Sequence, residues 1–98
     1  MTSHKFTLVL SGVSEITPRL ADAVYRAIRA EIEFEMSDGV ACIECERSAK
    51  TLRQAIRWSI SELESAKIGV RVLRVESESA NVIAKINAEL LGTASESV

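Results

Sequence analysis

Histidine is almost missing from this sequence: His4, near the N-terminus, is the only one. Ser-His-Asp and Cys-His catalytic units are therefore not expected, because each needs a base beside its nucleophile. Aromatic residues are also scarce, at 4% of the chain, so aliphatic side chains must fill the core. There is no glycine-rich loop to cradle a phosphate. No segment approaches the ~20 apolar residues of a membrane span, and no apolar run near the start resembles a signal peptide. With two cysteines and no export signal, the expectation is a cytoplasmic protein with free thiols. Net charge is −2, with a sequence pI of about 5.4, and this balance argues against nonspecific binding to nucleic acid or to an anionic membrane.

What remains is an ordinary globular composition, 47% apolar and 27% charged, over 98 residues. That length suits one domain, which buries about two-thirds of the surface its unfolded chain exposes. The expected domain covers residues 1–92, with a frayed tail at 93–98.

Residues 5–11 alternate Phe6, Leu8 and Leu10 with Thr7, Val9 and Ser11, the period-two pattern of a half-buried strand. Thr17-Pro18 starts a helix, since threonine can cap the free amides and proline fits the first turn. Leu20, Val24 and Ile28, with Ala21 and Tyr25, form its apolar stripe to about residue 30. Residues 31–46 read as a hairpin about Asp38-Gly39, which tolerate positive φ. Its register sets Met36 against Ala41, Phe34 against Ile43, and Ile32 against Cys45. A slip by one residue would turn glutamates inward. A second helix is predicted over Ser48 to Ala66, with Thr51 and Gln54 as a capping box and Leu52, Ala55, Ile56, Ile60 and Leu63 facing inward. A fourth strand spans 70–76. A last helix is predicted over 80–91, presenting Val82, Ile83, Ile86 and Leu90, with Gly92 as its C-cap.

The order β-α-β-β-α-β-α predicts an α+β fold. Its first six elements match the ferredoxin-like split βαβ plan, an antiparallel sheet of order 4-1-3-2 with both helices on one face. The other face would carry Lys5, Thr7, Val9, Arg71, Leu73 and Val75 on one half and Glu31, Glu33, Glu35, Glu44 and Glu46 on the other. The last helix needs cover, because short isolated helices are marginal in water. It is expected over Val9, Leu73 and Val75, on its own sheet or on a partner's.

The element order, the paired Ile32/Phe34 and Ile43/Cys45 strands, and the closing Val82-Ile83-Ala84-Lys85-Ile86 together resemble a group of uncharacterised small bacterial ferredoxin-like proteins. Some of these carry a helix-turn-helix after the sheet domain and are suspected regulators or antitoxins. The resemblance implies a transcription-linked or antitoxin-like role. This sequence shows no second helix after Gly92 to enter a major groove, so nucleic-acid binding is not expected.

Four features invite a functional reading. Cys42-Ile43-Glu44-Cys45 is a C-x-x-C. It reads either as a redox pair or half of a zinc site that would need further ligands, such as nearby glutamates, or as a strand segment whose i and i+3 positions point to opposite faces. In the strand reading Cys45 is a small core residue and Cys42 lies on the other face. The glutamates of the hairpin form either a solvated face or one covered by a cation, from a partner's arginines or a divalent ion. Trp58 either completes the core or anchors an interface beside Arg53 and Arg57. Arg19, Arg26, Arg29, Arg53, Arg57, Arg71 and Arg74 are scattered, as solvated faces are. No catalytic residue, metal or cofactor is expected. The leading expectation is a non-enzymatic interaction or assembly module that self-associates. A small ligand-sensing domain and an antitoxin-like partner protein are the alternatives. The interface candidates are Val9, Leu73, Val75, Val82, Ile83, Ile86, Leu90 and Trp58.

Overall fold

A computed structural model describes residues 2–77 and 87–91. The chain is α+β: β1 (Thr2–Ser11), α1 (Pro18–Ala27), β2 (Glu31–Ser37), β3 (Val40–Ala49), α2 (Leu52–Ser65) and β4 (Arg71–Glu76), closed by a single wide turn of π type at Asn87–Leu91. The four strands form one antiparallel sheet in the order β2-β3-β1-β4, which is the expected order read from the other edge.

The hairpin register is the expected one, with Met36 opposite Ala41, Phe34 opposite Ile43 and Ile32 opposite Cys45. Asp38 (φ 51°) and Gly39 (φ 78°) supply the two left-handed residues of its turn. Both helices pack on one face of the sheet. Phe6, Leu8 and Leu10 from β1 meet Ala41, Ile43 and Cys45 from β3, with Val24 and Ile28 above them, and Ala55, Ile56, Ile60 and Leu63 from α2. Thr17 accepts a hydrogen bond from the Leu20 N–H at 3.1 Å, and Thr51 one from the Gln54 N–H at 3.0 Å, so both helices begin on a capped threonine. The reciprocal half of the α2 box falls one residue early: Gln54 Oε1 accepts from the Lys50 N–H, not from that of Thr51. Gly12 (φ 83°) is needed where β1 ends, because a Cβ there would stand 2.8 Å from the Gly69 carbonyl oxygen.

Three expectations about boundaries and faces need correction. First, β3 continues through Ala49 and α2 starts only at Leu52, because Thr2 and Ser3 extend β1 to pair with Ala49 and Ser48. Ser48 is held in the β1–β3 ladder, and the helix begins only at the Thr51 cap. Second, Val75 does not lie on the second face. A bulge between the Val9–Arg74 and Leu10–Val72 pairs leaves Leu73 as the extra residue. One additional residue reverses the facing of all that follows, so Val72 and Val75 both enter the core while Arg74 stands opposite Val9. Third, the described part of the last segment is a five-residue turn, and it lies against the outer edge of β4, not over the second face. Asn87 bonds to β4 there, and Leu90 and Leu91 pack against the helix-side core. Val82, Ile83 and Ile86 lie outside the described residues, as do Gly92 and the tail at 93–98.

Candidate functional site

The second face of the sheet holds most of the residues singled out from the sequence. Strand alternation places Glu31, Glu33 and Glu35 of β2 beside Glu44 and Glu46 of β3, with Glu31 directly opposite Glu46 and Glu33 opposite Glu44. Adjacent strands then bring Lys5 opposite Glu46, Thr7 opposite both Glu44 and Glu76, and Val9 opposite Arg74. Charge is thus segregated, acidic over β2 and β3, and mixed with basic residues over β1 and β4. Lys5 Nζ reaches Glu46 Oε1 at 3.9 Å, Ser3 Oγ donates to Glu46 Oε2 at 3.1 Å, and Arg74 Nε donates to Glu76 Oε2 at 3.1 Å. Among the described residues no cation pairs with Glu31, Glu33, Glu35 or Glu44. An open depression runs along this margin, lined by Lys5, Thr7, Glu33, Glu44 and Glu46 among others.

The apolar residues expected on this face behave differently from one another. Leu73 is 47% exposed, held out by the bulge. Val9 is only 1% exposed, although it stands outside the helix-side cluster, so it offers no free surface. Trp58 on α2 is 37% exposed and lies beneath the Arg47 guanidinium, which is 5.5 Å from its ring centroid.

The C-x-x-C splits between the two faces. Cys45 is buried in the core, where loss of solvent pushes its thiol up to about 12 despite the nearby Arg47 charge. Cys42 sits half-buried on the second face. Burial raises its thiol too, and Glu76 and Glu35 add to that by opposing a second negative charge. Both cysteines are free. A thiol held protonated at neutral pH is a poor nucleophile and a poor metal ligand. Among the described residues no three His, Cys, Asp or Glu side chains converge in a way that would hold a metal ion.

One charged cluster escaped the sequence reading. Arg47 follows Ala41, Ile43 and Cys45 on the inward rows of β3, and that alternation is the signal that places it under α2. Its guanidinium donates to Glu62 Oε1 at 2.8 Å, to Glu62 Oε2 at 3.4 Å and to Ser59 Oγ at 3.0 Å. Ser59 Oγ in turn donates to the Ala55 carbonyl, and Glu62 Oε1 also accepts the Arg29 N–H at 2.9 Å. Burial works to raise the Glu62 carboxyl. The Arg47 hydrogen bonds, the Arg29 N–H and the charges of both arginines outweigh it, and hold the carboxyl below the usual range. This cluster ties β3 to α2 and to the end of α1.

The scattered arginines find separate uses. Arg26 pairs with Asp22 along α1, and Arg53 pairs with Glu89 of the terminal turn. Arg71 and Arg74 share the second face beside β1. Among the described residues no helix is long and apolar enough to cross a membrane. No family model matches this chain, and neither curated proteins nor solved structures yielded a significant match to it.

Proposed function

We propose that this chain is a non-enzymatic interaction module of ferredoxin-like architecture, cytoplasmic, whose first partner is a second copy of itself. The element order and the strand order β2-β3-β1-β4 support the ferredoxin-like assignment. The observation that carries the functional reading is the segregation of charge on the second face. Four glutamates without a cationic partner among the described residues lie on the β2–β3 half. Arg71, Arg74 and Lys5 stand exposed on the β1–β4 half around the protruding Leu73. A two-fold axis through that face lays each half over its opposite, so the same patch serves both subunits and its charges complement each other.

Light scattering across the micromolar range tests the proposal. Mass should rise toward a dimer with concentration and fall back with added salt, since exposed charges are screened. Glu33→Lys with Glu44→Lys should keep the protein monomeric. A wild-type monomer at every concentration and salt level overturns the proposal.

A further inference from the structure

The two edges of the sheet are not equally closed. At β4 the outward-facing backbone of Val75 is fully taken. Its N–H donates to Asn87 Oδ1 at 2.8 Å, and its carbonyl accepts from Asn87 Nδ2 at 3.1 Å. The Val72 N–H donates to Glu64 Oε2 at 3.4 Å. At β2 the Phe34 N–H donates to the Tyr25 hydroxyl at 3.3 Å. That bond shows which way the strand faces. Phe34 points its backbone groups away from β3, and by the alternation of an antiparallel pair so do Ile32 and Met36. Among the described residues nothing else bonds to this edge.

We infer that the outer edge of β2 is a docking site for an extended peptide in which basic and apolar residues alternate. An added strand takes its affinity from backbone hydrogen bonds and its specificity from the side chains on either side. Here the two sides differ sharply. Glu31, Glu33 and Glu35 line one, backed by Glu44 and Glu46 on the next strand. Half-buried Ile32, Phe34 and Met36 line the other, continuing the core toward the edge. A strand laid alongside must place cations over the first row and apolar side chains over the second.

A second copy does not meet these demands. Antiparallel pairing of two β2 strands about Phe34 sets Glu33 against Glu35 of the other chain, and like charges face to face oppose it. The β4 strand has the right character, with Arg71 and Arg74 on one side and Val72 and Val75 on the other, but Asn87 occupies its outer edge. The occupant is therefore a segment of another protein. This site shares the glutamates of β2 with the face-to-face association proposed above, but it adds the outward backbone of Ile32, Phe34 and Met36. Exchange protection at those amides therefore reads the edge, and the oligomeric mass reads the face.

The test uses the full chain and a fluorescent peptide of alternating lysine and valine. One control peptide has the same composition, with the lysines and valines in separate blocks. Two more are methylated on alternate backbone nitrogens, one for each edge of the peptide. The alternating peptide should bind saturably and protect the amides of Ile32, Phe34 and Met36 from hydrogen exchange. The blocked peptide should bind at least about tenfold more weakly, and one of the two methylated peptides should lose binding altogether. Glu33→Lys with Glu35→Lys should weaken binding by a similar factor at an unchanged melting temperature. Tyr25→Phe, which leaves the Phe34 N–H without its internal partner, should tighten it. Absence of saturable binding, equal binding of the blocked peptide, or protection confined to β4 would each overturn the inference.

Discussion

The two faces of this sheet put the same kinds of charged groups in opposite situations. On the helix-covered face, Arg47 and Glu62 meet at 2.8 Å with side chains only 11% and 24% exposed, inside a web that includes Ser59, Trp58 and the Arg29 backbone. On the second face, Lys5 and Glu46 meet at 3.9 Å with 80% and 44% exposure. The covered pair cannot be broken cheaply, because water does not replace a lost partner there. The exposed pair is hydrated whether or not it forms. One face therefore specifies how strand and helix dock, and the other leaves its charges in water.

Substitutions that separate the two faces should follow this order. The largest effect belongs to the core beneath the helices. Ile56→Ala should cost about 2–5 kcal/mol in urea unfolding, because Ile56 is fully buried and its loss leaves a cavity. Next is the covered ion pair. Glu62→Leu strands the Arg47 guanidinium and should cost about 1–3 kcal/mol. A pH arm sharpens this prediction. The Glu62 carboxyl is held low in the folded chain, so its contribution is present above the ordinary glutamate range and is lost as pH falls below it. Unfolding free energy measured from neutral to acid should fall less steeply in Glu62→Gln than in the wild type over that window.

The edge comes third. Asn87→Ala removes both hydrogen bonds to Val75 and should cost about 1–2 kcal/mol. Hydrogen exchange at the Val75 amide should quicken before any change appears in β1. Fourth are the thiols, one on each face. A thiol-specific reagent at neutral pH should label Cys42 slowly and Cys45 only when the chain unfolds. Glu35→Gln should speed the Cys42 reaction, because it removes one of the charges that disfavour the thiolate. The smallest effect is expected at Lys5→Ala, within about 0.5 kcal/mol of wild type by thermal unfolding. A larger loss there would mean that the second face is not the hydrated surface described.

Much of this division was legible in the sequence because it rests on local chemistry. The Asp38-Gly39 turn and the strict alternation on either side of it determine the register of β2 and β3. That register alone puts Glu33 against Glu44 and Ile43 in the core. Thr17-Pro18 and Thr51 mark the helix starts because the capping oxygen, the free amides and the proline ring all lie within one turn. The opposite faces of Cys42 and Cys45 follow from strand periodicity.

What only the tertiary structure decided is everything that depends on partners distant in the chain. The bulge at Leu73 exists to match β4 against β1, and without that match nothing in Arg71-Val72-Leu73-Arg74-Val75 announces a change of facing. Val75 therefore enters the core, and the apolar half expected on the second face shrinks to Leu73. The extension of β3 to Ala49 needed Thr2 and Ser3 as partners, and the cap on β4 needed Asn87 to return to Val75. Arg47 lay in a readable alternation, but its meaning came from Glu62 and Ser59, more than ten residues away on another element. Turns and caps are settled within a few residues by sterics and hydrogen bonds. Edges, bulges and buried ion pairs are settled by which strand or helix arrives beside them, and only the assembled fold contains that information.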